Sequence, residues 1–294
     1  MMRVTQQMLH QNSVRHMNQN LSRLEKTNNQ VSTGKLLHRP SDDPNGVSKA
    51  MNLKSALAAN EQYGRNTNEA TLWIDETDQT INDVVNVMQR VRELAVQGSN
   101  DTLSDQDKSI IASEVDELTE QIRTFANTKV NGHYIFNGQV TKESPFPAKD
   151  SYKTDTFDTG AKSFTIADGV VIQANVTADK LFGTAADNTS LFQTLSKLAD
   201  GLRSGSAIPL DQIDQGMDRI LSTQAEAGAK QNRVEAVANR IKDSNIELQS
   251  MLSKIEDVDY AEAITRLKSE ESIYQATLAA SSKIIQPSLM DFLR

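Results

Sequence analysis

Cysteine is absent from all 294 residues. That excludes a disulfide framework, cysteine-ligated zinc and thiol catalysis, and it leaves the redox compartment open. Histidine is almost as scarce: His10, His16, His38 and His133 are scattered, and the first two, six apart, do not share a helix face able to hold a metal. Apolar residues make up only 37% and mean hydropathy is -0.51, low for a globule and usual for rods and bundles. No apolar run approaches the ~20 residues that span a bilayer. The N-terminus lacks the apolar core of a cleavable secretory signal, so the expectation is a cytoplasmic chain, or one exported by a route that cleaves nothing. Basic charge is also short: the net charge is -8 and no Lys/Arg cluster is interleaved with aromatics, which argues against nucleic acid. The first 41 residues run the other way, with Glu25 their only acid against Arg3, Arg15, Arg23, Lys26, Lys35 and Arg39. That asymmetry fits acidic neighbours or, more plainly, a solvated helix face. A Gly-rich phosphate loop, a nucleophile elbow and a His-Glu zinc helix are all missing. The pairs Asp42/Asp43 and Glu270/Glu271 sit in a turn and on a helix with no pocket implied. These absences argue against an enzyme, a metal or a cofactor.

What the chain has in quantity is helical patterning. Residues 258–285 carry no Gly or Pro and are built of good helix formers. Ile264, Leu267, Tyr274, Leu278 and Ile285 fall on one three-and-four spaced stripe, interrupted by Glu271 and Ser281. At the other end Val14, Met17, Leu21, Leu24 and Val31 make a matching stripe, which Val4 and Met8 extend and Asn28 interrupts. Seams this polar do not hold lone helices together. They predict an antiparallel pair of terminal helices, firm only against further copies. On pattern alone an ordinary monomeric bundle explains the stripes slightly better.

Between the termini the first helix is predicted over about 5–32, ending at Gly34. The turn Ser41-Asp42-Asp43-Pro44 follows: Ser41 or Asp42 is expected to cap the next helix, and Pro44 suits its first turn. Calcium loops need more oxygen ligands than this turn has. A very long helix is expected over 45–97, broken at most near Gly64. Ser104 with Asp107 reads as a capping box for a third helix ending near Asn127. Eight of the fourteen aromatics then crowd into 134–192, marking a change of architecture. Residues 162–166 and 170–176 read as strands joined across Asp168-Gly169, with a third strand at 152–157. Helix resumes at 191–202 and again from Leu210, punctuated by Gly228 and the acidic run 256–259. The expected fold is mainly α, long antiparallel helices with a coiled-coil rod formed by both termini and a small β-rich insertion. Its expected domains are 1–44 with 258–294, 45–139 with 186–257, and the β-rich 140–185.

Five stretches taken together resemble bacterial flagellins and their hook-associated relatives over nearly the whole chain. They are MRVTQQM at 2–8, QVSTGKLLHRPSDDPNG at 30–46, QRVRELAVQ at 89–97, NTKVNGHYIFNG at 127–138 and the ending SLMDFLR at 288–294. The third supplies the rod motif Gln89, Arg90, Arg92, Glu93, Leu94 and Gln97. The Asp43-Pro44 turn, the chain end and residues 133–146 lean toward the hook-associated branch. The resemblance implies terminal helices in an inner tube, a helical rod outside it and a β-rich outer domain. It implies a structural adaptor linking the hook-associated zone to the flagellin filament, the alternative being a short filament-forming flagellin. The implied partners are copies of itself, flagellin, a neighbouring hook-associated protein and a cytoplasmic export chaperone on the C-terminal helix. Implied too are type III export without cleavage and a place in the extracellular flagellum after a transient cytoplasmic pool. In flagellins the face of Arg90, Leu94 and Gln97 binds an innate-immune receptor; packing of the rod explains the same residues. A cytoplasmic coiled-coil adaptor would explain the seams but not the ordered motifs.

Overall fold

Good helix formers at three-and-four spacing dominate the chain, and the described residues form seven helices. The computed structural model describes residues 2–100, 103–148, 157–186 and 189–285, with side chains except at 2–7, 9 and 283–285. The helices are α1 (Met2–Thr33), α2 (Pro44–Gly98), α3 (Asp105–Ala126), α4 (Ala178–Phe182), α5 (Leu191–Ser204), α6 (Leu210–Glu256) and α7 (Tyr260–Ile285). Two antiparallel hairpins accompany them, β1 (Lys129–Val130) with β2 (His133–Tyr134) and β3 (Ser163–Ala167) with β4 (Val170–Gln173). The fold is mainly α, as the periodicity predicts. Among the described residues no helix is long and apolar enough to cross a membrane.

The chain divides into two units, one of Met1–Ala59 with Asn245–Arg294 and one of Asn60–Ser244. In the first, α1 lies antiparallel to α7. The helix α1 stops because Gly34 turns left-handed at φ 73. Glycine is required twice over there, since a Cβ would stand 2.6 Å from the Tyr260 hydroxyl.

In the second unit one apolar core joins α2, α3, α5 and α6, with Leu181 and Phe182 of the short α4 packed into it. The helix α2 contributes Ile74, Ile81, Val84, Met88, Val91 and Leu94; α3 adds Ile111, Val115 and Ile122; α5 adds Leu195, Leu198 and Leu202; α6 adds Ile213 and Ile220. Ser104 caps α3, its Oγ accepting from the Asp107 N–H at 3.2 Å and donating to the Asp107 carboxylate at 2.6 Å. Gly64 does not break α2, nor Gly228 α6.

After α3 the chain turns on Asn127, which clamps a neighbouring segment with both ends of its amide. Nδ2 donates to the Phe146 carbonyl at 2.8 Å, while Oδ1 accepts from the Phe146 N–H at 3.1 Å and from Ser144 Oγ at 2.6 Å. The hairpin β1–β2 turns on Asn131-Gly132, with positive φ at both (50 and 82), the requirement of a two-residue primed turn. The strand β3 buries Phe164 and Ile166, and its partner buries Ile172; Ile166 is an extra residue that bulges the ladder before the Asp168-Gly169 turn. The expected third strand at 152–157 falls, apart from Phe157, outside the described residues. Phe157 itself is not in a strand. The short helix α4 has no counterpart in the sequence reading.

Phe136, Phe146, Phe182 and Phe192 meet at ring-centroid distances of 4.8 to 5.7 Å, with Phe136 and Phe146 each edge-on to Phe182. Phe136 is fully buried. Replacing it by Ala should cost about 3–5 kcal/mol. Urea unfolding followed by the single tryptophan, Trp73, would show the loss as an earlier midpoint.

Candidate assembly interface

The seam between α1 and α7 is not the most apolar one available. In α1 the half-buried or buried positions are Ser13, Met17, Asn20, Leu24, Thr27, Gln30 and Val31; in α7 they are Ala263, Leu267, Glu270, Glu271, Tyr274, Thr277 and Ser281. Apart from Gln30 and Glu271, each beside a seam position, both sets keep three-and-four spacing. Asn20 is 8% exposed, Thr27 3%, Gln30 5%, Ala263 4% and Ser281 8%, so the most deeply buried positions are small or polar. Two hydrogen bonds satisfy Asn20 and Thr27. Asn20 Nδ2 donates to Thr277 Oγ1 and Thr27 Oγ1 to Glu270 Oε2, each at 2.8 Å. The free Asn20 oxygen accepts from Arg23.

The predicted stripes are therefore split. Met17, Leu24, Val31, Leu267 and Tyr274 lie in the seam, half-buried. Met8 (58% exposed), Leu21 (46%), Ile264 (47%) and Leu278 (43%) face outward, with Val14 and Ile273 beside them. At 100° per residue both helices are turned by roughly 50° from the phase that apolar side chains alone would choose. The predicted seam residue Ile285 is the last described residue of α7, and its side chain is outside the described set.

At the base of the pair a short strap closes the unit. The Leu36 N–H donates to the Glu256 carbonyl at 2.6 Å and the Val258 N–H to the Gly34 carbonyl at 3.0 Å. Asp259 caps α7 through the Ala261 N–H at 2.9 Å. Beneath the strap, one oxygen of the buried Glu256 accepts from Lys35 Nζ at 2.8 Å and Lys54 Nζ at 2.7 Å. Burial pushes this carboxyl up, but the two ammoniums outweigh it and hold it below its ordinary 4.5.

In the turn the cap falls on Asp43, later than the predicted Ser41 or Asp42. The Asp43 carbonyl accepts from Val47 and its Oδ1 from Asn45, with Pro44 at the first helical position. Ser41 is exposed. Asp42 looks backward instead, pairing with Lys26 at 2.8 Å and accepting from the Arg39 N–H at 3.0 Å, and these lower its carboxyl to about 2.

On α2, Gln89, Arg90, Arg92, Glu93 and Gln97 are exposed, whereas Leu94 is 1% exposed and offers nothing to a receptor on that face. Arg90 forks onto Glu114 at 2.8 and 3.0 Å and onto Glu93 at 3.2 Å; Arg92 Nε meets Asp214 at 2.6 Å. These pairs lash α2 to α3 and α6. The sequence reading missed Asn20, Thr27, Ala263 and Glu256. The signal present for the first two was their seven-residue spacing, matched by Glu270 and Thr277. Among the described residues no group of three or more His, Cys, Asp or Glu is placed to hold a metal ion.

The bacterial flagellin N-terminal helical region matches residues 4–141, and the bacterial flagellin C-terminal helical region matches 210–293. The chain belongs to the flagellin family. Family membership makes it a structural component of the bacterial flagellum. It is 28% identical to flagellar hook-associated protein 3 of Escherichia coli strain K12 over 95% of this chain and 96% of that one. It is also 28% identical to a flagellin of Halalkalibacterium halodurans, over 91% and 90%. The flagellar junction protein FlgL from Legionella pneumophila shares the fold, with a TM-score of 0.56 at 16% identity, covering 72% of this chain and 100% of that one.

The clasp gives a pH prediction. A carboxyl depressed by folding stabilises above its unfolded pKa, and that contribution is lost as pH falls through the folded value. Wild type should therefore melt above Glu256→Gln at pH 7, and the gap should shrink as pH drops below 4.5. Paired thermal melts across pH check this.

Proposed function

We propose that this protein is a junction piece of the flagellum, joining the hook-associated zone to the flagellin filament through the outward faces of α1 and α7. The observation that carries this reading is an inversion: the pair buries Asn20 and Thr27 while exposing Leu21, Ile264 and Leu278. Isolated apolar residues on a surface mean little, but a repeated stripe along two paired helices marks an interaction face. Copies of the same chain in a tubular lattice supply the missing cover, with flagellin on one side and a hook-associated neighbour on the other. The relationship to hook-associated protein 3 favours the junction over the filament. The flagellin relationship supports the alternative, a short filament subunit.

The same face bears on export. A chain with no cysteine and a half-polar seam suits passage unfolded through the type III channel without cleavage. A cytoplasmic chaperone covering α7 would mask Ile264, Ile273 and Leu278 until then. Transient cytoplasmic residence and a final extracellular place at the hook–filament junction follow.

Gold-labelled antibody against residues 140–185, viewed on isolated flagella, tests the position. One labelled spot between hook and filament supports the junction; label along the filament makes the protein a flagellin. At residue level, Leu278→Asp places a charge on an already exposed position. Helicity should be unchanged by circular dichroism while incorporation into flagella falls at least tenfold. Normal incorporation of that variant would remove the outward face from the argument.

A further inference from the structure

Each terminal helix carries two candidate seams, and the structure uses the more polar one. A seam through Val14, Met17, Leu21, Leu24 and Val31 would bury more apolar surface than the observed seam through Asn20 and Thr27. The same holds for Ile264 and Leu278 against Glu270 and Thr277. Burial alone therefore predicts the wrong phase on both helices, in matching amounts, and something must oppose it.

The opposing element is a pair of polar layers. Asn20 and Thr27 are one heptad apart on α1, as are Glu270 and Thr277 on α7, and the hydrogen bonds join them in antiparallel order. Rotating α1 to bury Leu21 would swing Asn20 away from Thr277 and Thr27 away from Glu270. Both bonds would break together. A buried polar residue in a coiled-coil seam fixes geometry at a cost in stability, because only one arrangement satisfies it.

We infer that the Asn20–Thr277 and Thr27–Glu270 hydrogen bonds set the rotational phase of α1 and α7, keeping Val14, Leu21, Ile264 and Leu278 outward. The strap at Gly34 and Val258 holds the two helix ends together but does not choose the faces that meet along the next twenty residues. The polar layers make that choice. Their purpose, though not their geometry, rests on the assembly reading above.

Because the full chain has no cysteine, a single engineered thiol reports one position without background. Maleimide labelling of Leu21→Cys in the otherwise native chain should run several-fold faster than labelling of Leu24→Cys. Adding Asn20→Ala and Thr27→Ala should slow the Leu21→Cys thiol and reverse that order. Thr277→Val, which keeps the side-chain shape and removes one acceptor, should move the rates the same way by less. Equal rates in the chain with both hydrogen bonds intact would overturn the inference, as would rates that ignore the alanine and valine changes. Reversed rates with a loss of incorporation into flagella uphold both the inference and the assembly reading. Reversed rates with normal incorporation uphold the inference and overturn the use of the outward stripe in assembly.

Discussion

The hydrogen bond from Asn20 to Thr277 spans 257 residues of sequence, and the first unit depends on contacts of this kind. Neither terminal helix has a seam able to hold it in isolation. Closing so long a loop is only modestly costlier than closing a short one, since the entropy grows with the logarithm of length. The strap and the Glu256 clasp lower what remains by holding the end of α1 against the start of α7. The pair then needs only to stay in phase, which weak but directional contacts achieve and apolar ones do not. Specificity, in this unit, comes from polar groups and adhesion from the half-buried Met17, Leu24, Leu267 and Tyr274 between them.

The second unit follows the opposite rule. Its core is continuous and apolar, and its polar groups work at the edges, where the chain must change direction. Asn127 replaces two backbone partners for Phe146 with one amide. Asn137 does likewise, donating to the Glu143 carbonyl at 2.9 Å and accepting from the Asp158 N–H at 2.8 Å. Between them they pin the segment that carries Phe136 and Phe146 into the ring cluster. Lys162 closes the other side, its ammonium 3.7 Å from the Trp73 ring centre and its charge disfavoured by burial. Large apolar side chains in this part of the chain are placed by amides rather than by regular sheet.

Much of this was legible because helix signals are local. Gly34 ended α1 and Ser104 began α3 for reasons confined to a few residues, and Asp168-Gly169 marked its hairpin in the same way. The cap at Asp43 was displaced because three adjacent polar residues can all cap, and only the path of the chain back toward Lys26 assigns Asp42 elsewhere. The β1–β2 hairpin shows in the sequence only as a motif, since strands of two residues carry no alternation to detect. Gly64 and Gly228 were natural places to suspect a break, yet one glycine inside so long a helix costs little against the turns on either side. The seam phase was the largest miss. A hydrophobic stripe is a statement about where burial would be favourable; the partner polar atoms that override it lie more than 200 residues away, and no window along the chain contains both.

That miss has a physical meaning beyond prediction. A helix that buried all its apolar positions in its own partner would be finished as a monomer, with nothing left to offer a neighbour. A helix that exposed all of them would aggregate before reaching one. Turning both helices by about 50° divides the same side chains between the inner seam and an exposed outer face. The inner one defines a geometry, and on the assembly reading proposed above the outer one is left for other chains to cover. In a family whose members are flagellar components, a terminal pair that is incomplete alone separates the competence to assemble from the act of assembling. The polar residues of the inner seam are what keep those two apart, because an all-apolar seam would choose burial within the chain over contact between chains.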